Sequence, residues 1–178
     1  MKMIVTVFRI IIILFVVGLT GCENGDGGSN NNDFRFTDMG DGTIRDNNTG
    51  LIWLKNADCF GRINWFNAMD EAVVLTDGEC GLSDGSAAGD WRLPTKNEWE
   101  AFYSKVYDTP ALVNTAGDGH WSEGDGFTGV QSNYYWSSTE RSAFIAWYVN
   151  MIYGYMDTGD MHLPSKSYKL YVWPVRSE

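Results

Sequence analysis

The apolar and polar positions divide the chain into stretches of different period. Ile10 to Val17 is unbroken and apolar. Glu23 to Asp33, ENGDGGSNNND, holds no apolar residue and reads as flexible coil. Phe34 to Lys55 reads as two short strands joined by turns at Asp41-Gly42 and Asn47-Asn48-Thr49-Gly50. In Asn64 to Thr76, Trp65, Ala68, Met69, Ala72, Val73 and Leu75 fall near i, i+3, i+4, i+7 spacing, with Asp70 and Glu71 opposite. That spacing predicts a helix, ended by Asp77-Gly78. A second helix is predicted from Thr95, whose spacing to Glu98 is that of a capping box. Trp99, Phe102 and Val106 give it an apolar face, and Asp108-Thr109-Pro110 stops it. Gly117 to Gly129 reads as a loop holding His120 and Trp121. From Tyr134 the period becomes that of strands. Ile145, Trp147 and Val149 share one face, and Lys169 to Val175 alternates as well. Two helices followed by several strands predict an α+β domain, mostly antiparallel.

The N-terminal pattern changes the reading of location. Lys2 and Arg9 precede the apolar run, and Leu19-Thr20-Gly21-Cys22 follows it. A basic start, a short apolar stretch and small residues describe a secretory signal peptide. The run falls short of the roughly 20 apolar residues that span a bilayer. Leu19 to Cys22 also resembles the bacterial lipobox. The resemblance implies cleavage before Cys22 and acylation of that residue, so that several acyl chains hold the domain at a bilayer. The expected organisation is a lipoprotein signal peptide over 1–21, a tether over 22–33 spanning about 20 Å, and one globular domain over 34–178. The expected location is the cell envelope, on the outer membrane, because Glu23 rather than Asp follows Cys22.

Charge and cysteine count narrow the class further. Residues 22–178 carry 11 basic and 23 acidic side chains, a net of −12. Such a charge disfavours nucleic acid and anionic lipid as ligands. Cys59 and Cys80 are an even pair in an exported chain and read as a disulfide. Asp38, Asp41 and Asp46 lack the spacing of a calcium loop and read as turn residues that bond local backbone. No cofactor or metal is expected.

Several strings then match a known family: Thr43-Ile44-Arg45-Asp46, Thr49-Gly50-Leu51-Ile52-Trp53, Cys80-Gly81-Leu82-Ser83-Asp84, Gly89-Asp90-Trp91-Arg92-Leu93-Pro94-Thr95 with Glu98-Trp99, Tyr135-Trp136-Ser137-Ser138-Thr139, Ala146-Trp147-Tyr148-Val149 and Tyr171-Val172-Trp173-Pro174-Val175-Arg176. In this order, over about Phe34 to Arg176, they resemble the Lcl C-terminal domain family, named from a collagen-like surface adhesin that binds sulfated glycans. The resemblance implies a C-type-lectin-like fold with two helices, a disulfide and a ligand surface on the C-terminal sheet. The chain lacks the Glu-Pro-Asn, Gln-Pro-Asp and Trp-Asn-Asp triplets that hold calcium and sugar in lectins of that fold. It also lacks the C-terminal cysteines of the related formylglycine-generating enzyme. His120 and His162 have no neighbouring nucleophile in a recognisable pattern. A binding module is therefore expected, not an enzyme, with a structural envelope lipoprotein as the alternative.

The expected ligand surface is C-terminal. Residues 23–140 are net −13, while residues 141–178 are net +1 and dense in Tyr and Ser, types suited to recognition. Arg141, Ser142, Phe144, Tyr148, Ile152, Tyr153, Tyr155, Asp157, His162 and Tyr168 are its candidate residues, facing an extracellular glycan or protein. Trp136, Trp147 and Trp173 are expected in the core. A further possibility comes from the family resemblance: some members are variable proteins of diversity-generating retroelements, in which copying errors at adenines rewrite C-terminal codons. Most of these candidate types can arise from a randomised Asn codon. Met151, Met156, Met161, Lys166 and Lys169 cannot, and would be fixed positions or come from other codons.

Overall fold

A computed structural model describes residues 34–157 and 165–178. Cys22, the tether and His162 lie outside these residues. The described residues form nine strands and two helices. Strands β1 (Phe36–Asp38), β2 (Thr43–Asp46) and β3 (Ile52–Leu54) come first, followed by β4 (Arg62–Ile63), α1 (Trp65–Val74) and α2 (Lys96–Phe102). Then come β5 (Tyr134–Glu140), β6 (Ala146–Asn150), β7 (Tyr155–Asp157), β8 (Leu170–Tyr171) and β9 (Val175–Arg176). One sheet has the order β1-β2-β3-β9 and the other β4-β8-β5-β6-β7. All pairings are antiparallel except β5 with β8. The fold is α+β with one disulfide, Cys59–Cys80, as the sequence pattern predicts.

Both helices begin as their caps dictate. The Asn64 side chain accepts from the Asn67 amide at the start of α1. Thr95 and Glu98 form the reciprocal capping box at the start of α2. The ends differ from expectation. Helix α1 stops at Val74, because Leu75 turns to an extended backbone and points into the core. Helix α2 stops at Phe102. Ser104 Oγ then accepts from the Val106 and Tyr107 amides and offers the backbone a turn in place of further helix. Val106, expected on the apolar face, is exposed in consequence. The Phe34–Lys55 segment forms three strands rather than two. Its last strand, β3, pairs with β9, which brings the first three described strands and the last into one sheet.

Lys169 to Val175 is not one strand. Pro174 has no N–H to continue a ladder, and the segment crosses from β8 in one sheet to β9 in the other. Val172 and Trp173 consequently enter two different cores. The larger core is a cluster of aromatic rings. Trp53 stacks on Phe102 at 3.9 Å between centroids, and Trp173 meets Phe102 edge-on at 5.2 Å. The smaller core joins Trp65, Ala68 and Ala72 of α1 to Trp136, Ala146 and Tyr148. Three indole N–H groups donate to carbonyls and tie elements together: Trp173 to Leu54 at 2.7 Å, Trp65 to Ser137 at 2.8 Å and Trp136 to Ile63 at 2.9 Å. The turn reading of the aspartates holds. Asp41 accepts from the Thr43 amide and hydroxyl, Asp38 from the Gly40 amide, and buried Asp46 takes two bonds from Arg35.

Trp147 departs from its expected core position. It lies partly exposed on the α2 side of β6, with the Lys96 ammonium 4.5 Å from its ring. Helix α2, only seven residues long, covers Val149 and Met151 further along but leaves Trp147 to the stem of Lys96.

Candidate ligand-binding surface

The C-terminal candidates separate into two clusters at opposite ends of β6, a five-residue strand about 17 Å long. At the end where β6 begins, Arg141 and Ser142 form the turn from β5, with both amides donating to the Ile145 carbonyl. Phe144 projects from this turn, 78% exposed. The chain returns alongside it at Ser165, which bridges Ile145, and Tyr168 closes a turn onto the Ser165 carbonyl. At the other end, Ile152, Tyr153 and Tyr155 flank the turn into β7. Tyr153 is 64% exposed, Tyr155 is exposed and Ile152 is half-buried.

Tyr148 and Asp157 lie between the clusters, on the face of the sheet shared with α1. Tyr148 is buried, so its ring is a support rather than a contact surface. Its hydroxyl donates to Asp157 Oδ2 at 3.1 Å and its ring meets Tyr134 edge-on at 5.2 Å. Burial first, then the Asp157 carboxylate, push the phenol far above its ordinary range, so it stays a donor.

Lys166 is a feature that sequence reasoning missed. Its side chain is 4% exposed. The ammonium sits 4.1 Å from the Trp65 ring and 5.6 Å from the Phe66 ring, and pairs with Glu140 at 3.0 Å. Its amide donates to the Phe144 carbonyl, and its carbonyl accepts from the Trp65 amide. One residue thereby joins α1, the end of β5 and the turn carrying Phe144. An adjacent Trp65-Phe66 pair is a visible signal in sequence, but nothing there points to a lysine a hundred positions away.

The weakly positive balance of residues 141–178 is largely consumed inside the fold. Lys166 is occupied as described. Arg176 pairs with the buried Asp84 at 3.2 Å and lies 5.5 Å from the Trp91 ring. Arg176, Arg92, Asp90 and Glu178 line an open depression of about 540 Å³, remote from the candidate residues in sequence and sheet position. Arg92 is held there by two bonds to Glu98, at 2.8 and 2.7 Å. That partner keeps the Glu98 carboxyl below its usual range in spite of the opposing effect of burial, the largest single influence on it.

His120, the other sequence candidate for chemistry, stacks on Tyr107 at 5.3 Å and places Nε2 2.9 Å from the Pro110 carbonyl. Among the described residues, no three His, Cys, Asp or Glu side chains converge in a way that would hold a metal ion.

Two packed cores, a disulfide and a C-terminal sheet with exposed aromatic turns define an α+β domain. Residues 42–176 match the Lcl C-terminal domain, and the chain belongs to that family. The comparison with curated proteins returned no match.

Proposed function

We propose that the protein is a lipid-anchored binding module of the bacterial cell envelope, which recognises an extracellular glycan or protein through its C-terminal strands and catalyses no reaction. The observation that carries this reading is the placement of Phe144, Tyr153 and Tyr155. Large aromatic side chains stand outward on turns whose backbone is held by a buried frame, which is how rigid recognition surfaces gain contact area at low entropic cost. The family membership supports it. The lipobox-like Leu19 to Cys22 supports the anchor. The net charge and the occupied arginines weigh against a polyanionic ligand.

The test is an array of glycans and surface proteins probed with the full chain. Selective binding to one class supports the reading; an empty array together with an envelope defect on gene deletion supports the structural alternative. Metabolic labelling with an acyl probe tests the anchor, since wild type takes label and Cys22→Ala does not. Equal labelling of both defeats it.

A second reading, a surface diversified by a retroelement, draws on burial. Met151 and Lys166, which an Asn codon cannot produce, are both buried, whereas Arg141, Ser142, Phe144, Tyr153 and Tyr155 are exposed. Exposed Lys169 does not fit this division. A near-repeat of the coding segment for residues 141–176, differing at adenines and beside a reverse-transcriptase gene, supports this reading. Its absence from the genome removes it.

A further inference from the structure

Helix α1, with the sequence WFNAMDEAVV, is apolar on two sides. Trp65, Ala68 and Ala72 form the buried side, with Met69 packed at its edge. Phe66 and Val73, at i and i+7, fall on one flank of that side, about 100° round the helix from it, and Val74 falls opposite; the three are 55%, 44% and 55% exposed. Apolar side chains on a surface helix ordinarily face the core, yet these three face solvent. Asp70 and Glu71 stand among these side chains, and α1 carries no basic residue. The loop that follows adds Asp90: its neighbour Gly89 donates to the Val73 carbonyl at 2.7 Å. Lys166, almost fully buried, is already spent on Trp65, Phe66 and Glu140, while Asp90 shares its depression with Arg92 and Arg176, so Asp70 and Glu71 are the carboxylates that set the charge of this face.

We infer that the outer face of α1 is a second interaction surface, distinct from the C-terminal strands, and that it docks an amphipathic basic segment of a partner protein. The stripe of apolar side chains supplies the contact area, and the carboxylates select the charge. Ten helical residues extend about 15 Å, which suits one short segment laid along the helix rather than a broad interface. A second copy of this chain fits poorly, because it would bring Asp70 and Glu71 against their own equivalents. An anionic membrane meets the same repulsion.

The test uses the full chain and a fluorescent helical peptide of about 14 residues, four turns, with leucine on one face and lysine on the other. Binding is read by anisotropy at several salt concentrations. Wild type binds, and affinity falls as salt rises. Phe66→Ser and the pair Val73→Ser with Val74→Ser each weaken binding about tenfold or more, although they change no charge; Phe66→Ser also loses an edge contact on Trp65, so the valine pair, which melts at the wild-type temperature, is the control for folding. Asp70→Asn with Glu71→Gln flattens the salt dependence. A peptide with glutamate in place of lysine does not bind. Equal binding by the apolar variants, equal binding of the glutamate peptide, or no binding by wild type overturns the inference. So does a sedimentation result in which wild type dimerises and Phe66→Ser does not, since the face would then serve self-association. None of these outcomes depends on the ligand of the C-terminal strands.

Discussion

Gly154→Ala is expected to destabilise the domain well beyond the cost of its backbone angle alone. Gly154 sits in the turn between β6 and β7 at φ +67°, between the exposed Tyr153 and Tyr155. A Cβ added there would stand 2.1 Å from the Ser104 carbonyl oxygen and 3.0 Å from the Ala111 Cβ. The carbonyl is main chain in the turn after α2, so it has no rotamer by which to move aside. Gly50, at φ +74°, provides the control, since a Cβ there meets nothing within 4 Å. Holding Ala in the left-handed region costs about 1 kcal/mol. Forcing extra volume into a packed site adds about 1–3 kcal/mol. Gly50→Ala should therefore lose about 1 kcal/mol and Gly154→Ala about 2–4 kcal/mol. Urea unfolding with the disulfide intact measures both, and the slope m should be unchanged. In a domain of this size, the melting temperatures of the two variants should differ by roughly 3–10 °C. Equal losses at the two glycines would refute the reasoning, because they would show that the turn and the Ser104–Ala111 segment can separate freely.

Other expectations follow from single contacts. Thr95→Ala removes the N-cap oxygen from the Glu98 amide and should cost about 1 kcal/mol in denaturant unfolding. Glu98 carries a depressed carboxyl in the folded state, so its contribution is present above the ordinary carboxylate range and is lost as pH falls through and below that range. The stability gap between wild type and Glu98→Gln should accordingly be widest near neutral pH and close in acid; a gap that widens in acid would contradict the assignment. Replacing Cys59 and Cys80 together by Ser should cost about 2–5 kcal/mol. Mass analysis after alkylation without reduction should find neither thiol modified in the native protein.

Local rules made much of this fold legible in sequence. The capping box at Thr95 and the Asx turns at Asp38 and Asp41 depend on residues two or three apart, and they form as read. The buried face of α1 and the Cys59–Cys80 pairing were equally plain. Misreadings arose where a distant element decides the outcome. Val73 fits the apolar period of α1, four residues after Met69, but is 44% exposed in the last turn, where no element covers it. Trp147 reads as core from its strand, yet it lies at the start of α2, where Lys96 rather than an apolar side chain meets its ring. The split of Lys169–Val175 follows from β3 capturing β9, a pairing between residues more than a hundred apart. At the candidate surface, the sequence pointed to the C-terminal strands but not to their division into two ends. Nor did it reveal that Tyr148 is a buried support, or that Lys166 is the tie between α1 and the Phe144 turn.

The central claim is that the aromatic turns of the C-terminal sheet bind an extracellular ligand. Its most direct test compares the full-length wild type, Phe144→Ser, and the pair Tyr153→Ser with Tyr155→Ser on one array of glycans and surface proteins, with melting temperatures measured in parallel. The three side chains are exposed, and such changes usually move stability by only about 0.5 kcal/mol. The account predicts selective binding by wild type and its loss in at least one variant that melts at the wild-type temperature. A ligand bound equally by all three proteins would contradict it.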